Sequence, residues 1–560
     1  MTFKKIKNGF KYFKNGWNYV AISGKPYERG LAHGKLLKRE IKEALITFKW
    51  SLLDSHGFDE NFFIQFSNYI FKDKIKTNFP DLYDELRGIA KGANVKLDEL
   101  ILWNNSSSLD YAIPKIQEFI KNIPELHSKY GDLLDKLPKT GQMEGGSSDK
   151  CSAFIALKPY TSDGKIVCAH NSFDNFIGGQ FFNVILSIKP DKGNTMMFQT
   201  APGYIASMTD FGITSNGFIV TETTIGGFLP YEHKLPINCR IRKAMQQSKS
   251  LDDYVKILKE GNSGDYANSW LIGDINNNEI MRIELGLEFI NVERKKKGYF
   301  IGFNAPYDPQ LRNLEVANSG FDDIRRHQGA RKVRLEQLME KYKGKIDISV
   351  GKEIIADHFD VYTNKIEPSS RTVCSHYELD DRRFMSQADR PLPFQPRGAV
   401  DGMVVDSKLC KNMELWGRWG SSCGTAFYVK PFMDINIQWK RYEPWLMDRP
   451  SQPWTLFKSH SKINNKQILD DLQKNGKSQQ QKMTYDSPYK LRYTPDILYK
   501  EVEKGNLTKK EAKHIMDKKF KIFETFKHRK GLKNSKTLRK NKRTLRNKRK
   551  TNKTRKNNKN

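Results

Sequence analysis

The sequence predicts an α+β fold in which antiparallel sheet is packed between helical layers. Three observations carry that prediction. Apolar residues recur at helical spacing through most of the first 150 residues. From Cys151 the period changes to two. The period-two segments are joined by tight turns rich in Gly, Asn and Asp. Such turns pair strands antiparallel, because parallel neighbours need a long crossover.

The elements follow in order. The stretch from Gly24 begins Gly-Lys-Pro-Tyr-Glu-Arg-Gly-Leu-Ala-His-Gly, and Gly30 and Gly34 fall one helical turn apart, a spacing that lets another element approach closely. In Phe79–Asn94, Pro80 suits a helix start, and Leu82, Leu86 and Ile89 share a face. Pro114–Pro138 reads as a further helix, ending before a Gly/Ser loop at Gln142–Lys150. Four hairpins come next. Cys151–Leu157 and Lys165–Ala169 flank Ser162-Asp163-Gly164. Phe181–Ile188 and Thr195–Thr200 flank Asp191-Lys192-Gly193-Asn194. Gly212–Ser215 and Phe218–Thr223 flank Asn216-Gly217, and Ser269–Gly273 and Glu279–Glu284 flank Asn276-Asn277-Asn278. Helices are expected at Ile241–Lys259 and at Ile324–Lys343, where Val333, Leu335 and Leu338 form a partial apolar face. After Trp454 the chain turns polar, with one more helix expected at Thr508–Phe526.

Composition excludes several classes. Of 560 residues, 38% are apolar and 29% charged, and no run approaches the ~18 uninterrupted apolar residues of a membrane span. The N-terminus alternates Lys with aromatics and lacks the apolar centre of a secretory signal, so an intracellular or virus-particle setting is expected. Six scattered cysteines argue against a disulfide framework and suit a reducing compartment. No CxxC pair or metal-type spacing appears, Cys374-Ser-His376 being the nearest approach to a metal cluster, and neither metal nor organic cofactor is expected. The net charge is +32, and Lys527–Asn560 supplies 17 Lys or Arg with no acidic residue. That tail reads as disordered. It is an electrostatic arm for nucleic acid or an anionic membrane surface, or else a solubilising tail with no specific partner.

Cys151 carries the chemistry. It stands where a Gly/Ser-rich loop runs into an apolar strand, in Ser-Ser-Asp-Lys-Cys-Ser-Ala-Phe-Ile-Ala-Leu. This is the layout of a self-cleaving hydrolase, with Lys150–Cys151 as the processing bond. Cleavage would free an α-amine with a pKa of roughly 7.7–8.0, able to accept the thiol proton near neutrality. The plainer reading is a buried structural Cys. His170 closes the strand that hairpins back from Cys151, in Ala-His-Asn-Ser-Phe-Asp.

Several segments in order make the chain recognisable. They are Ala169–Asp174, Ser207-Met-Thr-Asp-Phe-Gly-Ile-Thr-Ser-Asn-Gly-Phe-Ile-Val-Thr-Glu-Thr-Thr224, Tyr266-Ala-Asn-Ser-Trp270, Gly298-Tyr-Phe-Ile-Gly-Phe-Asn-Ala-Pro306 and Arg397-Gly-Ala-Val-Asp401. From Gly16 to Phe457 the chain resembles the phospholipase B-like family, a branch of the N-terminal-nucleophile hydrolases. Its helical front, above all Phe79–Asn94, is similar to a sister group, the acyl-CoA:isopenicillin N acyltransferases. The resemblance implies a four-layer αββα fold with two antiparallel sheets between helical layers. It implies Cys151 as nucleophile, His170 as a pocket histidine and Asn268 as the oxyanion-stabilising amide. Asn171, Asp174 and Thr223 fall in its pocket-lining segments, and Asp210 in the Ser207–Thr224 motif. Asp174 could orient the new ammonium, and Asn268 with a backbone N–H could hold an oxyanion. Each has a plainer reading too: His170 as a strand-end structural residue, Asn268 as a turn residue and Thr223 as strand packing. The Trp416–Gly424 run reads as a loop and packing motif.

The expectation is therefore a self-processing cysteine hydrolase of acyl ester or amide bonds, in phospholipids or N-acyl lipids. The rival readings are an amidase or acyltransferase acting on small N-acyl compounds, and a non-enzymatic scaffold that holds nucleic acid or membrane through its tail. Four regions are expected: 1–150, mostly helical and released as an associated chain; the hydrolase core, 151–460; a polar extension, 461–526; and the basic tail, 527–560.

Overall fold

The computed structural model describes residues 3–56, 58–109, 111–134, 151–317, 319–380 and 394–459. Lys150 and its loop, the 461–526 extension with its expected helix, and the 527–560 tail lie outside the described residues. The chain divides into two compact units, 1–48 with 61–486 and 49–60 with 487–560. In the second, Lys49 and Glu60 form an ion pair of 3.1 Å. Both large sheets belong to the first.

Among the described residues one sheet has ten strands, in the order β1 (Lys4–Ile6), β2 (Gly9–Lys14), β3 (Trp17–Gly24), β6 (Val184–Pro190), β7 (Met196–Thr200), β8 (Phe211–Thr214), β9 (Phe218–Thr224), β10 (Asn268–Asp274), β11 (Glu279–Leu285) and β12 (Ile290–Lys295). The other runs β13 (Tyr299–Gly302), β4 (Cys151–Ala156), β5 (Val167–Asn175), β16 (Arg397–Asp406), β17 (Glu414–Trp419) and β18 (Thr455–Lys458). A two-stranded ribbon pairs β14 (Phe359–Asp360) with β15 (Lys365–Ile366). All four hairpins read from the sequence are present and antiparallel.

The N-terminal segment opens on strands before its helices begin. The Lys/aromatic alternation of Phe10–Lys14 has period two, and Tyr12 stacks on Tyr19 across β2 and β3 (4.7 Å between centroids). β3 then pairs with β6 in parallel, Asn18 opposite Val184, so the segment before Cys151 is built into the same sheet as the core after it.

The fold is α+β with four layers, helices outside two face-to-face sheets. On the outer face of the β4–β5–β16 sheet, Phe154, Val167, Ala169 and Val404 pack against Leu335, Leu338 and Met339 of helix His327–Lys341 and against Ile354 and Ile355 of helix Ile348–Ile355. Helices Ile237–Gln247 and Leu251–Lys259 cover the other sheet, where Met245 lies against Gly212 and the Tyr254 ring meets Phe218 edge-on. Between the sheets, Gly273 faces Ile155 and Ile166, and Trp17 and Tyr19 meet Trp419 and Phe457. The single helix expected at Ile241–Lys259 is two. Ser250 breaks it by capping the second: its hydroxyl accepts from Asp253 N (3.1 Å), and the Asp253 carboxylate accepts from Ser250 N (3.1 Å).

Gly30 and Gly34 have the close approach that their spacing predicts. Helix Pro26–Leu36 lies against helix Pro80–Ala93, which brings its own Gly88 and Gly92 to the contact. A Cβ on Gly30 would overlap the Glu85 carbonyl, and one on Gly88 would overlap that of Tyr27. Beside this contact Glu85 is fully buried between Arg29 (2.6 Å) and Arg242 (3.1 Å). Burial alone would raise its carboxyl, but Arg242 and Arg29 outweigh burial and hold it below the usual value.

Candidate active site

Cys151 is the first residue of β4 and is buried. Alternation puts it on the face of Ala153 and Ile155, turned toward the ten-stranded sheet. Its main chain is held by side chains from distant segments. The Cys151 N–H donates to Asn304 Oδ1 (3.3 Å). Asn304 follows β13 in a left-handed conformation (φ 68°), and its Nδ2 donates to Thr224 O (2.7 Å). Arg331, fully buried in helix His327–Lys341, donates to Asn304 Oδ1 (2.8 Å), to Ser152 Oγ (3.2 Å) and to the Cys151 carbonyl.

The thiol faces an acid. Cys151 Sγ lies 3.9 Å from Glu222 Oε1 on β9. The Tyr266 hydroxyl reaches the same oxygen (3.1 Å) and Asp210 Oδ2 (3.2 Å), and Thr224 Oγ1 donates to it (3.1 Å). A phenol carries one proton, so it donates to one of these carboxyls at a time. Burial, then the Glu222 and Asp210 charges and Cys151, push the Tyr266 phenol well above its usual value, so it stays a donor. Asn268 opens β10. With its amide nitrogen turned toward Glu222, it donates to Glu222 Oε2 (3.0 Å) and to Ala267 O (2.8 Å).

Ser172 on β5 lies opposite Cys151 on one side and opposite Asp401 on the other. Asp401 Oδ1 accepts from Ser172 N (3.1 Å). The carboxyl is fully buried, and burial pushes it up to about 7. His170, opposite Ala153, is also fully buried, with its ring 6.2 Å from Phe211. Burial pulls its imidazole down to about 3, so the ring is neutral at physiological pH.

The residues singled out from sequence thus divide. Cys151, Asn268 and Asp210 meet around Glu222 and Tyr266. His170 stands two rungs along the strand pair from Cys151, on the same face of the sheet. Thr223 lies against Gly302, across the gap between the sheets. Asn171 points to the helical side, where its amide donates to Ile355 O (2.5 Å) and Val373 O (3.1 Å). Asp174 is half-buried near the end of β5 and accepts from Asn175 N (2.6 Å).

Sequence reasoning passed over Glu222, Tyr266, Asn304, Arg331 and Asp401. A signal existed for Glu222, an acid inside the β-branched run Ile219–Thr224. Glu222, Tyr266, Asn304 and Asp401 all lay in the recognised motifs, which marked the segments and not these side chains. Arg331 is one of 96 Lys and Arg residues and carried no mark.

Residues 73–448 match the family model described as Phospholipase B. The chain is 24% identical over 376 residues to phospholipase B-like 2 of Rattus norvegicus, covering 58% of this chain and 63% of that protein. It is 26% identical over 230 residues to phospholipase B-like 1 of Homo sapiens, covering 34% and 41%. The chain therefore spans less than two thirds of these relatives. Among solved structures it is similar to a penicillin V acylase from Agrobacterium tumefaciens, at 13% identity and TM-score 0.29, covering 48% of this chain and 83% of the other. A conjugated bile acid hydrolase from Clostridium perfringens has 12% identity and TM-score 0.28, covering 48% and 89%. With a family model matching most of its length, the chain belongs to the phospholipase B family.

Proposed function

We propose that the protein is a self-processing cysteine N-terminal-nucleophile hydrolase that cleaves acyl ester or amide bonds, with phospholipids or N-acyl lipids as its substrates. The observation that carries the reading is the grip on Cys151: its N–H is bound by Asn304 Oδ1 while its thiol lies against Glu222.

Maturation comes first. Before cleavage the Cys151 nitrogen is an amide and accepts no proton. Glu222 is the carboxylate within reach of the thiol, and it acts as base for this step. Sγ bonds to the Lys150 carbonyl carbon, the Lys150–Cys151 C–N bond breaks, and the departing nitrogen takes a proton and becomes the α-amine. Water opens the thioester, leaving a Lys150 carboxylate and a free thiol. Asn304 Oδ1, already placed as acceptor, then holds the amine.

In turnover the α-amine takes the thiol proton, Sγ attacks the substrate acyl carbon, and the leaving oxygen or nitrogen receives the proton. Water hydrolyses the acyl-thioester. Asn268 stabilises the oxyanion once its amide leaves Glu222. Neutral His170, two rungs along on the same face, serves as a hydrogen-bonding group for the thiol or the leaving group. The segment before Cys151 stays bound after cleavage, because β3 remains paired with β6. The basic tail brings the enzyme to anionic lipid surfaces. No helix among the described residues is long and apolar enough to cross a membrane.

Matured protein, offered a panel of phospholipid esters and N-acyl amides, should release fatty acid or another carboxylic acid from at least one class, and Cys151→Ala should release none. Equal release by both proteins would sink the reading.

A further inference from the structure

A second constellation lies on the opposite side of the Cys151-bearing sheet. His358, Cys374, His376 and Cys423 each offer one ligand atom, and all four atoms lie within 4.8 Å of one another. The residues come from three separate segments. His358 lies between helix Ile348–Ile355 and β14, Cys374 and His376 lie in the loop leading to β16, and Cys423 follows β17. Both thiols are free.

The distances suit one central ion. His376 Nε2 is 3.4 Å from Cys374 Sγ and 3.4 Å from Cys423 Sγ. A tetrahedral zinc, with bonds of about 2.3 Å to sulfur and 2.05 Å to nitrogen, sets its S and N ligands about 3.5 Å apart. The surroundings are those of a built site. His376 Nδ1 is tied to Glu378 Oε1 (2.8 Å), the carboxylate–histidine pairing that orients a ligating imidazole. Each sulfur accepts a hydrogen bond: Ser422 Oγ donates to Cys374 Sγ (3.3 Å), and Thr425 N donates to Cys423 Sγ (3.3 Å). His358 Nε2 is buried without a hydrogen-bond partner. The His358 and His376 rings meet edge-on at 5.0 Å.

We infer that His358, Cys374, His376 and Cys423 form a structural zinc site. Two thiolates and two neutral imidazoles balance the charge of Zn²⁺, and binding releases two thiol protons. Four protein ligands leave no open position, so the ion is a staple and does no chemistry on substrate. Its place in the fold says what it holds. Cys374 and Cys423 pack on Phe173 of β5 and Ala399 of β16, and Ser375 O accepts from Ala399 N (2.9 Å). These are the strands that carry His170, Ser172 and Asp401 beside the nucleophile. The ion fixes the backing of that strand pair.

Untagged full-length protein, purified without chelator and dialysed against a weak one, should retain one zinc per chain by elemental mass spectrometry. Cys374 and Cys423 should resist alkylation until a strong chelator is added. Cys423→Ser and His358→Ala should lose the zinc, and Cys151→Ala should keep it. Should those two variants fail to fold, the wild-type chain still decides. Replacing its metal with cobalt(II) should give tetrahedral ligand-field bands and a thiolate charge-transfer band. A metal-free wild-type chain whose two thiols alkylate at once, or one in which they are joined as a disulfide, overturns the site. So does an octahedral cobalt spectrum.

Discussion

Arg331 holds Asn304 in place: its guanidinium donates to Asn304 Oδ1 (2.8 Å) while a second arm reaches the Cys151 carbonyl. The same Asn304 oxygen receives the Cys151 N–H. Asn304→Ala should therefore slow self-cleavage by roughly ten- to hundredfold, the kinetic equivalent of one lost bond of about 1–3 kcal/mol. Asn268→Ala should instead cut kcat on substrate by about 10²–10³-fold, as for one lost oxyanion donor. Timed intact-mass measurements and steady-state kinetics separate the two, and a reversed pattern would exchange the roles of these amides.

Asp401 predicts a pH dependence of stability. Its carboxyl stands at about 7 in the folded chain, against an ordinary 3.8. The folded state therefore keeps a proton that the unfolded state releases between these values. The resulting stability is complete below about pH 4, is lost as pH rises to about 7, and stays lost above it. Wild-type protein should resist denaturant better at pH 5 than at pH 8. Asp401→Asn should remove a few kcal/mol of that difference while keeping an oxygen for Ser172 N. An unchanged slope in the variant would mean that Asp401 is ionised when folded.

The glycine contact between helices Pro26–Leu36 and Pro80–Ala93 should be intolerant of a methyl group. Gly30→Ala presses the new methyl against the Glu85 carbonyl and should cost about 1–3 kcal/mol or more, lowering the unfolding midpoint. Gly178→Ala, with nothing within 4 Å of the added carbon, serves as the control.

Truncation before Lys527 should leave maturation and hydrolysis of a soluble substrate unchanged. It should remove the salt-sensitive part of binding to anionic vesicles or nucleic acid, read by sedimentation at rising salt. Loss of maturation on truncation would place the tail within the folded core.

How far the sequence was legible follows from where each signal lives. The hairpins were readable because turn residues and period-two alternation are local. Gly30 and Gly34 announced a helix contact, but their partners Gly88 and Gly92 sit over fifty residues away. Ser250 broke a helix that apolar spacing alone would continue. Cys151 stood out because a Gly/Ser-rich stretch of sequence runs into an apolar, period-two segment. Glu222, Tyr266, Asn304 and Arg331 stayed hidden for a different reason. Each gains its meaning only when β9, the approach to β10, the end of β13 and a distant helix converge on one thiol. Cys374-Ser-His376 likewise is two ligands until folding brings His358 and Cys423 beside it.

In the proposed mechanism Cys151 becomes the N-terminus of a catalytic chain. Intact mass and N-terminal sequencing of purified wild-type protein and Cys151→Ala test it most directly. The wild type should yield two co-purifying fragments of about 150 and 410 residues, the larger beginning Cys-Ser-Ala-Phe, and the variant a single uncut chain. Wild-type protein that remains one full-length chain after long incubation, at neutral and at mildly acidic pH, would contradict the account.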